Sequence, residues 1–387
     1  MRDTSHHGLA LATGDEIAKD DRMPQVLMVT SRWLPEPAGW DAALIASHLD
    51  DQTDLTLAIV SDGWERPPDY LPASSHLYET HRHGSVSHVG QAGAARSLSD
   101  GALIARQTYT PVPDLIEFVD EAGRESDFVV FAGAAEAIAN GMGVLRRKAI
   151  LAPLGGVGDD SIARKTFSLA RAAIHLSPGE AKAWEAHGPL RTTTLSSLDP
   201  HLPWSGQGTP VATVELVSLK ERGSLVLAMG PPDPKYQFDE LIANWCALMD
   251  RPYTRRRTLL ITGADQELLP RRPDVATIPT GSLLELRRHL QAVDLVILPA
   301  RAESGFVLMS EAWRSGAAVL GSADNEPIRL DLEASSGGRT YSNTEEFVLA
   351  VNELTEQKDA YAEAGRSWLD SLPQLDLNRV FEQAEGV

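Results

Sequence analysis

Two carboxylates and the short segment between them are the first residues in this sequence that could do chemistry. Glu303 and Glu311 bracket the run ESGFVLMSEA. An ionised carboxylate only accepts hydrogen bonds, so two of them near one ligand can hold the vicinal hydroxyls of sugars. Ser304 and Gly305 lie between them, and glycine lets the backbone approach a ligand closely. A helix is predicted from about Phe306. Its first amides, through Val307, would present unpaired N–H groups and the positive end of the helix dipole, which suits a diphosphate. Lys235, in PPDPKY, is a candidate phosphate-binding cation. Bland readings fit the same residues: two solvated carboxylates around a helix, and a surface lysine in a proline-rich loop.

The elements that must position these residues alternate along the chain. DLVILP reads as a buried strand ending at Pro299, so the loop ARAESG falls at its carboxyl end, where open α/β sheets bind ligands. FVLMSEAWRSG follows as a helix ended by Gly316, and AAVLGS as the next strand. Upstream in this half, SLVLAMG, TLLITG and VATIP read as strands. FDELIANWCALM and LLELRRHLQAV read as helices. The first half repeats the alternation. VLMVT (26–30), LTLAIV (55–60), DFVVFAG, AILAP (149–153) and AIHLS are strands, with helices near Trp40, in DLIEFVDEAG, in ARKTFSLARA and in PGEAKAWEAHG. No element is assigned in the polar stretch 62–110. Residues 196–223 mix proline, glycine and serine and mark the boundary. From Thr344 onward the chain reads as helices separated by DSLPQLD. Such alternation predicts parallel doubly wound sheets.

At 387 residues the chain suits two domains. The expected division is a disordered lead-in over 1–24, a first domain over 25–205 and a second over 206–370. Residues 371–387 form a helix packing back on the first domain. With 43% hydrophobic residues, both domains can bury a core. The lead-in lacks the basic start and apolar core of a secretory signal, and His6 and His7 read as solvated tail residues. No run approaches the ~18 apolar residues of a membrane span. The formal charge of −19 disfavours nucleic acid and anionic membrane as partners. An anionic ligand would therefore need a local positive site. The single Cys246 permits no intramolecular disulfide and no cysteine-based zinc site, and reads as a buried, inert thiol. A cytoplasmic protein is expected. His81, His83 and His88 read as loop histidines, His175 as a packed strand residue, and LGGVGDD as an ordinary strand-to-helix turn. Serine-elbow, H-E-x-x-H and Walker motifs are missing, so hydrolase and ATPase readings have no local support.

The run from Glu303 through Ala-Trp-Arg-Ser-Gly to the next strand resembles the signature of retaining glycosyltransferases of the GT-B fold, family four. Members typically carry E-G-F-G-L-x-x-x-E-A-x-A-x-G-x-P-V. Glu303, Glu311, Ala312 and Gly316 match in register, Gly305 and Phe306 carry the same two residue types in exchanged order, and Ser304, Val307 and Ala318 depart. LSPGEAKAWEAHG resembles the segment closing the family's first domain. About 150 residues of the second half follow the family's order.

The resemblance implies α/β architecture with two Rossmann-like doubly wound domains facing a cleft. It implies transfer of a sugar from a nucleotide-diphosphate donor, with retention and without a metal or other cofactor. Glu303 would contact the donor sugar, and Glu311 the ribose hydroxyls. The amides of Gly305 to Val307 would bind the diphosphate, and the backbone at Ile278 would read the base. Gly39 is what is left of a first-domain glycine pair. Two departures bear on activity: Pro231 stands where an arginine is usual, and Tyr236 follows Lys235 in place of glycine. The alternative reading is therefore a degenerate GT-B protein acting as a binding or partner subunit. A third is a sugar epimerase or phosphorylase on the same fold, the latter without a lysine motif suited to pyridoxal.

Overall fold

The structure is a computed structural model. It describes residues 22–30, 37–61, 75–80, 86–91, 121–133, 148–155, 170–185, 192–194, 213–229, 237–252, 254–262, 269–278, 283–301, 304–373 and 376–385. Glu303, Lys235, Pro231 and Tyr236 lie outside these residues. So do His6, His7, His81, His83, all of the lead-in except its last three residues, and most of the predicted DLIEFVDEAG and ARKTFSLARA helices.

Two sheets carry the chain. The first orders its strands β4-β3-β2-β1-β5-β6-β7-β8. These are β1 (Gln25–Thr30), β2 (Asp54–Ser61), β3 (Ser75–Thr80), β4 (Val86–Gln91), β5 (Phe128–Ala132), β6 (Ala149–Ala152), β7 (Ala172–His175) and β8 (Thr192–Thr194). β1, β5 and β7 are buried along almost their whole length, as strands covered on both faces must be. Helix α1 (Pro37–Gln52) connects β1 to β2, and α2 (Pro178–Glu185) follows β7. Pairing is parallel except at the edge, where β4 runs antiparallel to β3, with a register shift between Leu77 and Tyr78. The polar stretch thus contains two strands, the second an antiparallel edge on an otherwise parallel sheet. His88 lies in β4.

The second sheet orders β11-β10-β9-β12-β13-β14, all parallel. Its strands are β9 (Ser224–Met229), β10 (Arg257–Thr262), β11 (Val275–Ile278), β12 (Leu295–Leu298), β13 (Ala318–Ser322) and β14 (Gly338–Tyr341). α3 (Val214–Lys220) precedes it, capped by the Thr213 side chain. A helix therefore stands inside the stretch read as an irregular boundary. The sheet's helices are α4 (Phe238–Met249), α5 (Leu283–Leu290), α6 (Phe306–Ser315), α7 (Glu326–Ser335), α8 (Thr344–Glu356) and α9 (Lys358–Ser371). Gly316 closes α6 in the left-handed region, at φ 87°, a conformation in which glycine escapes the Cβ penalty. Cys246 is half-buried on α4 rather than fully buried.

The last helix, α10 (Leu377–Glu385), crosses to the first domain, where Phe381 stacks on Phe128 of β5 with ring centroids 4.5 Å apart. The apolar core is continuous between the domains. One cluster runs from Met28 and Trp40 through Phe306, Val307 and Leu308 to Val380. No helix among the described residues is long and apolar enough to cross a membrane.

Candidate nucleotide-sugar site

The strand order of the second sheet reverses between β9 and β12, so the loops after these strands diverge and leave a crevice. β12 feeds that crevice through Pro299, Ala300 and Arg301. The chain re-enters at Ser304 and Gly305 and turns into α6. α6 is buried all round rather than along one stripe: Phe306 to Trp313 are all buried, against both domains. Gly305 is its N-cap at φ −160°, extended backbone that any residue adopts. A Cβ there would meet Leu298 and Ile328 at ordinary contact distance, 3.5–3.6 Å. Packing therefore does not require glycine at this position.

Glu311 lies one turn from the C-terminal end of α6, its side chain only 4% exposed. Arg287 of α5 grips it with both prongs of the guanidinium: Nε donates to Oε2 at 2.7 Å and NH2 to Oε1 at 2.7 Å. Arg314 approaches Oε1 at 3.9 Å. Each carboxylate oxygen keeps a second lone pair, so Arg287 orients the group without exhausting it as an acceptor. Ile278 ends β11 at the carboxyl edge of the sheet, its side chain packed on the core. Gly39 is buried in the first turn of α1, two residues before Asp41.

Asp41 is the residue that sequence reasoning missed here. Its Oδ1 accepts the amide hydrogen of Val307 at 2.8 Å, so a carboxylate of the first domain caps a helix of the second. The Ser304 hydroxyl and the Phe306 amide also favour its charged form. Asp41 has no exposed surface, and Oδ2 is buried without a hydrogen bond of good geometry. Burial raises its pKa to about 7, with Glu180 adding to the rise and the hydrogen bonds opposing it. Two of the amides expected to hold a diphosphate therefore face a carboxylate of the protein itself. One signal was available: a charged residue inside the apolar helical run GWDAALIA, which must find a buried partner.

The opposite domain returns the contact. Asp331 of α7 accepts from the Gly179 amide at 2.7 Å, capping α2 of the first domain. It too is raised to about 7 by burial, against the Ser177 hydroxyl and Gly179 amide, with Glu180 again raising it. Glu180 lies between the two aspartates in charge terms. Its oxygens accept from Gly155 N at 2.6 Å and Leu176 N at 2.9 Å. His175, fully buried in β7, places Nδ1 3.6 Å from Glu180. A third cross-domain bond joins Ser304 N to Leu154 O at 3.1 Å. Leu154 holds φ 56°, a left-handed conformation unfavourable for leucine, and Gln237, across the crevice, holds φ 50°. Strain of this kind costs on the order of 1–3 kcal/mol and collects at functional sites.

No protein-family model matches the chain, and no curated protein matches it either. Solved structures do. A structure of WaaG, a glycosyltransferase involved in lipopolysaccharide biosynthesis, aligns with a TM-score of 0.57 at 18% identity, over 93% of this chain and 98% of that one. Anabaena HepE in complex with UDP and glucose aligns with a TM-score of 0.61 at 15% identity, over 93% and 98%. A putative UDP-N-acetylglucosamine 2-epimerase from Listeria monocytogenes aligns with a TM-score of 0.53 at 13% identity, over 89% and 90%. Across nearly its whole length the chain thus has the fold of these proteins: two Rossmann-like α/β domains in the GT-B arrangement. Likeness at such identities concerns fold, and several chemistries share it.

Proposed function

We propose, proceeding from that shared fold, that this protein is a glycosyltransferase that takes a sugar from a nucleotide-diphosphate donor. The observation that carries the reading is the β9/β12 switch point, where open α/β sheets leave a ligand crevice. It is walled by α6 and faced directly by the first domain through Leu154 and Asp41. A donor held on the second domain there lies against the surface that would present an acceptor.

Each residue takes a distinct part. The Arg287-oriented carboxylate of Glu311 accepts from the ribose hydroxyls. Glu303 accepts from hydroxyls of the donor sugar. Ile278 offers backbone at the end of β11 to the base, Gly39 backbone from the first domain, and Gly305 close approach. Ser304 meets the phosphate end, as do the amides of Phe306 and Val307 once they exchange Asp41 for phosphate, with Lys235 as a cation from the segment after β9. In the reaction the acceptor oxygen replaces the phosphate oxygen on the anomeric carbon, and negative charge grows on the leaving diphosphate. Fixed donors and cations stabilise that charge best in a water-excluded site. We read the transfer as retaining, independent of a metal, and cytoplasmic, in keeping with a single cysteine and no disulfide.

Asp41 favours a second reading, a catalytically degenerate GT-B protein serving as a binding or partner subunit. Its carboxylate holds the Val307 amide where an active enzyme would hold phosphate, and in the sequence Pro231 stands where the resembling family carries an arginine. Turnover separates the readings. The purified chain is incubated with labelled nucleotide-sugars and the products are identified. Release of labelled sugar or glycoside, lost in Glu303→Ala, supports the enzyme, and an epimerised nucleotide-sugar would instead support epimerisation. Stoichiometric binding with no product from any donor would establish the degenerate reading.

A further inference from the structure

A diphosphate brings negative charge to a chain that already carries a formal −19. The helix terminus best placed to receive that charge is engaged by Asp41. Arg287 is committed to Glu311. The remaining question is which other described cation stands at the crevice.

Arg301 does. It follows β12, and its guanidinium lies at the switch point itself. Gln237, the first described residue after the β9 loop, reaches across. With its amide oxygen turned towards Arg301, Gln237 accepts from both Nε and NH2 of the guanidinium and donates to Pro299 O at 2.8 Å. Two exposed carboxylates flank the guanidinium: Asp324, just after β13, at 3.2 Å, and Glu240 of α4 at 3.6 Å. Among the described residues that link β12 to α6, β13 to α7 and β14 to α8, Arg301 is the one basic residue; Arg271 and Arg272 lie in the stretch leading into β11, where Arg272 pairs with Asp250 and Asp274.

Exposure separates Arg301 from Arg287. Its side chain is 61% exposed, against 13% for Arg287. Its partners are exposed as well, at 60% for Asp324 and 42% for Glu240. Such solvent-exposed pairs are worth little, typically below about 1 kcal/mol, so exchanging them for phosphate costs little. A guanidinium offers a planar fork of donors that matches phosphate oxygens, and Gln237 holds its orientation.

We propose that Arg301 binds the diphosphate of the donor, an inference that rests on the nucleotide-sugar reading above. Gln237, Asp324 and Glu240 hold the guanidinium at the mouth of the crevice. The diphosphate displaces the two carboxylates as it enters.

The test compares UDP, GDP, ADP and dTDP with their nucleosides by calorimetry on the full chain, for wild type, Arg301→Gln, Arg301→Lys and Arg329→Gln. Arg329 is an α7 cation paired with Glu326 and Glu333. Wild type is expected to bind one diphosphate at least about 100-fold tighter than its nucleoside. Arg301→Gln should cut that ratio about 10-fold or more and leave nucleoside affinity unchanged, as loss of a charge-assisted contact implies. Arg301→Lys, which keeps charge but not the fork, should fall between, and Arg329→Gln should match wild type. A thermal melt confirms folding of each variant, and the Lys variant alone suffices if the Gln variant does not fold. Retention of the full ratio in folded Arg301→Gln, or in Arg301→Lys if only that folds, overturns this inference while leaving the donor reading intact. Failure of wild type to bind any of the four diphosphates overturns the donor reading itself.

Discussion

Asp41, in the first helix of one domain, accepts the amide hydrogen of Val307 at the start of a helix in the other, at 2.8 Å. Asp331 makes the mirror contact, capping α2 of the first domain from the second. Each domain thus completes a helix terminus that its partner leaves open. Both contacts sit in the apolar layer shared by the domains, so neither carboxylate is relieved by water.

The cap should be separable from the charge. Asp41→Ala leaves a buried N–H without its acceptor and should cost about 1–3 kcal/mol in urea unfolding. Asp41→Asn retains an oxygen acceptor of similar capping strength and should lose less than half as much at neutral pH. Equal losses for the two variants would mean that the Val307 contact contributes little.

The pH dependence follows from both aspartates being raised to about 7 by burial in the folded state, from 3.8. As pH rises from about 4 to 7, the unfolded chain releases protons that the folded chain keeps. These two groups therefore contribute stability at low pH that is lost through that window, and the loss is complete above about 7. The difference in melting temperature between Asp331→Asn and wild type should move in favour of the variant from pH 5 to pH 7 and then level off. A difference independent of pH over that range would show that Asp331 is not held protonated.

Gly179 marks how closely the domains approach. A Cβ on it would lie 2.4 Å from Pro327 O and 2.5 Å from Asp331 Oδ1. The first of these is backbone, so Gly179→Ala must push α2 and α7 apart. A loss of about 1–3 kcal/mol is expected, as for overpacking elsewhere. Gly305→Ala meets only ordinary contacts and should cost no more than about 1 kcal/mol. Its effect should appear instead in donor affinity, and the two variants can be ranked by denaturation midpoint and by titration.

Glu311 is tested through the hydroxyls it is proposed to bind. A nucleoside diphosphate and its 2′,3′-dideoxy form should differ about 10-fold in affinity for wild type, the worth of one charged hydrogen bond. Glu311→Gln should erase that preference. It should also destabilise the protein by about 3 kcal/mol, because Arg287 is left beside an uncharged partner in a mostly buried site. Loss of stability with the hydroxyl preference intact would make Glu311 a structural residue alone.

What the sequence made legible was whatever depends on local pattern. The amphipathic run FDELIANWCALM is α4 over Phe238–Met249, and the β12 strand, the loop and α6 fall where apolar runs and Gly316 put them. β3 and β4 escaped because serine and histidine break their apolar alternation, and β4 escaped also because its antiparallel edge pairing departs from the repeating unit. α7 was missed despite a usable signal, Asn325 at the N-cap with proline in the first turn. The Asp41–Val307, Asp331–Gly179 and Arg287–Glu311 pairs could not be read at all. The first two join residues brought together by domain packing and the third by the packing of α5 on α6 within the second domain, on all of which spacing along the chain carries no information.

The central claim is that the β9/β12 crevice takes a nucleotide-sugar, and calorimetric titration of the full chain with UDP-, GDP-, ADP- and dTDP-sugars tests it most directly. The account predicts saturable one-to-one binding of at least one donor class, weakened in Glu311→Gln. No heat from any of the four at millimolar donor, with the chain folded, would contradict it.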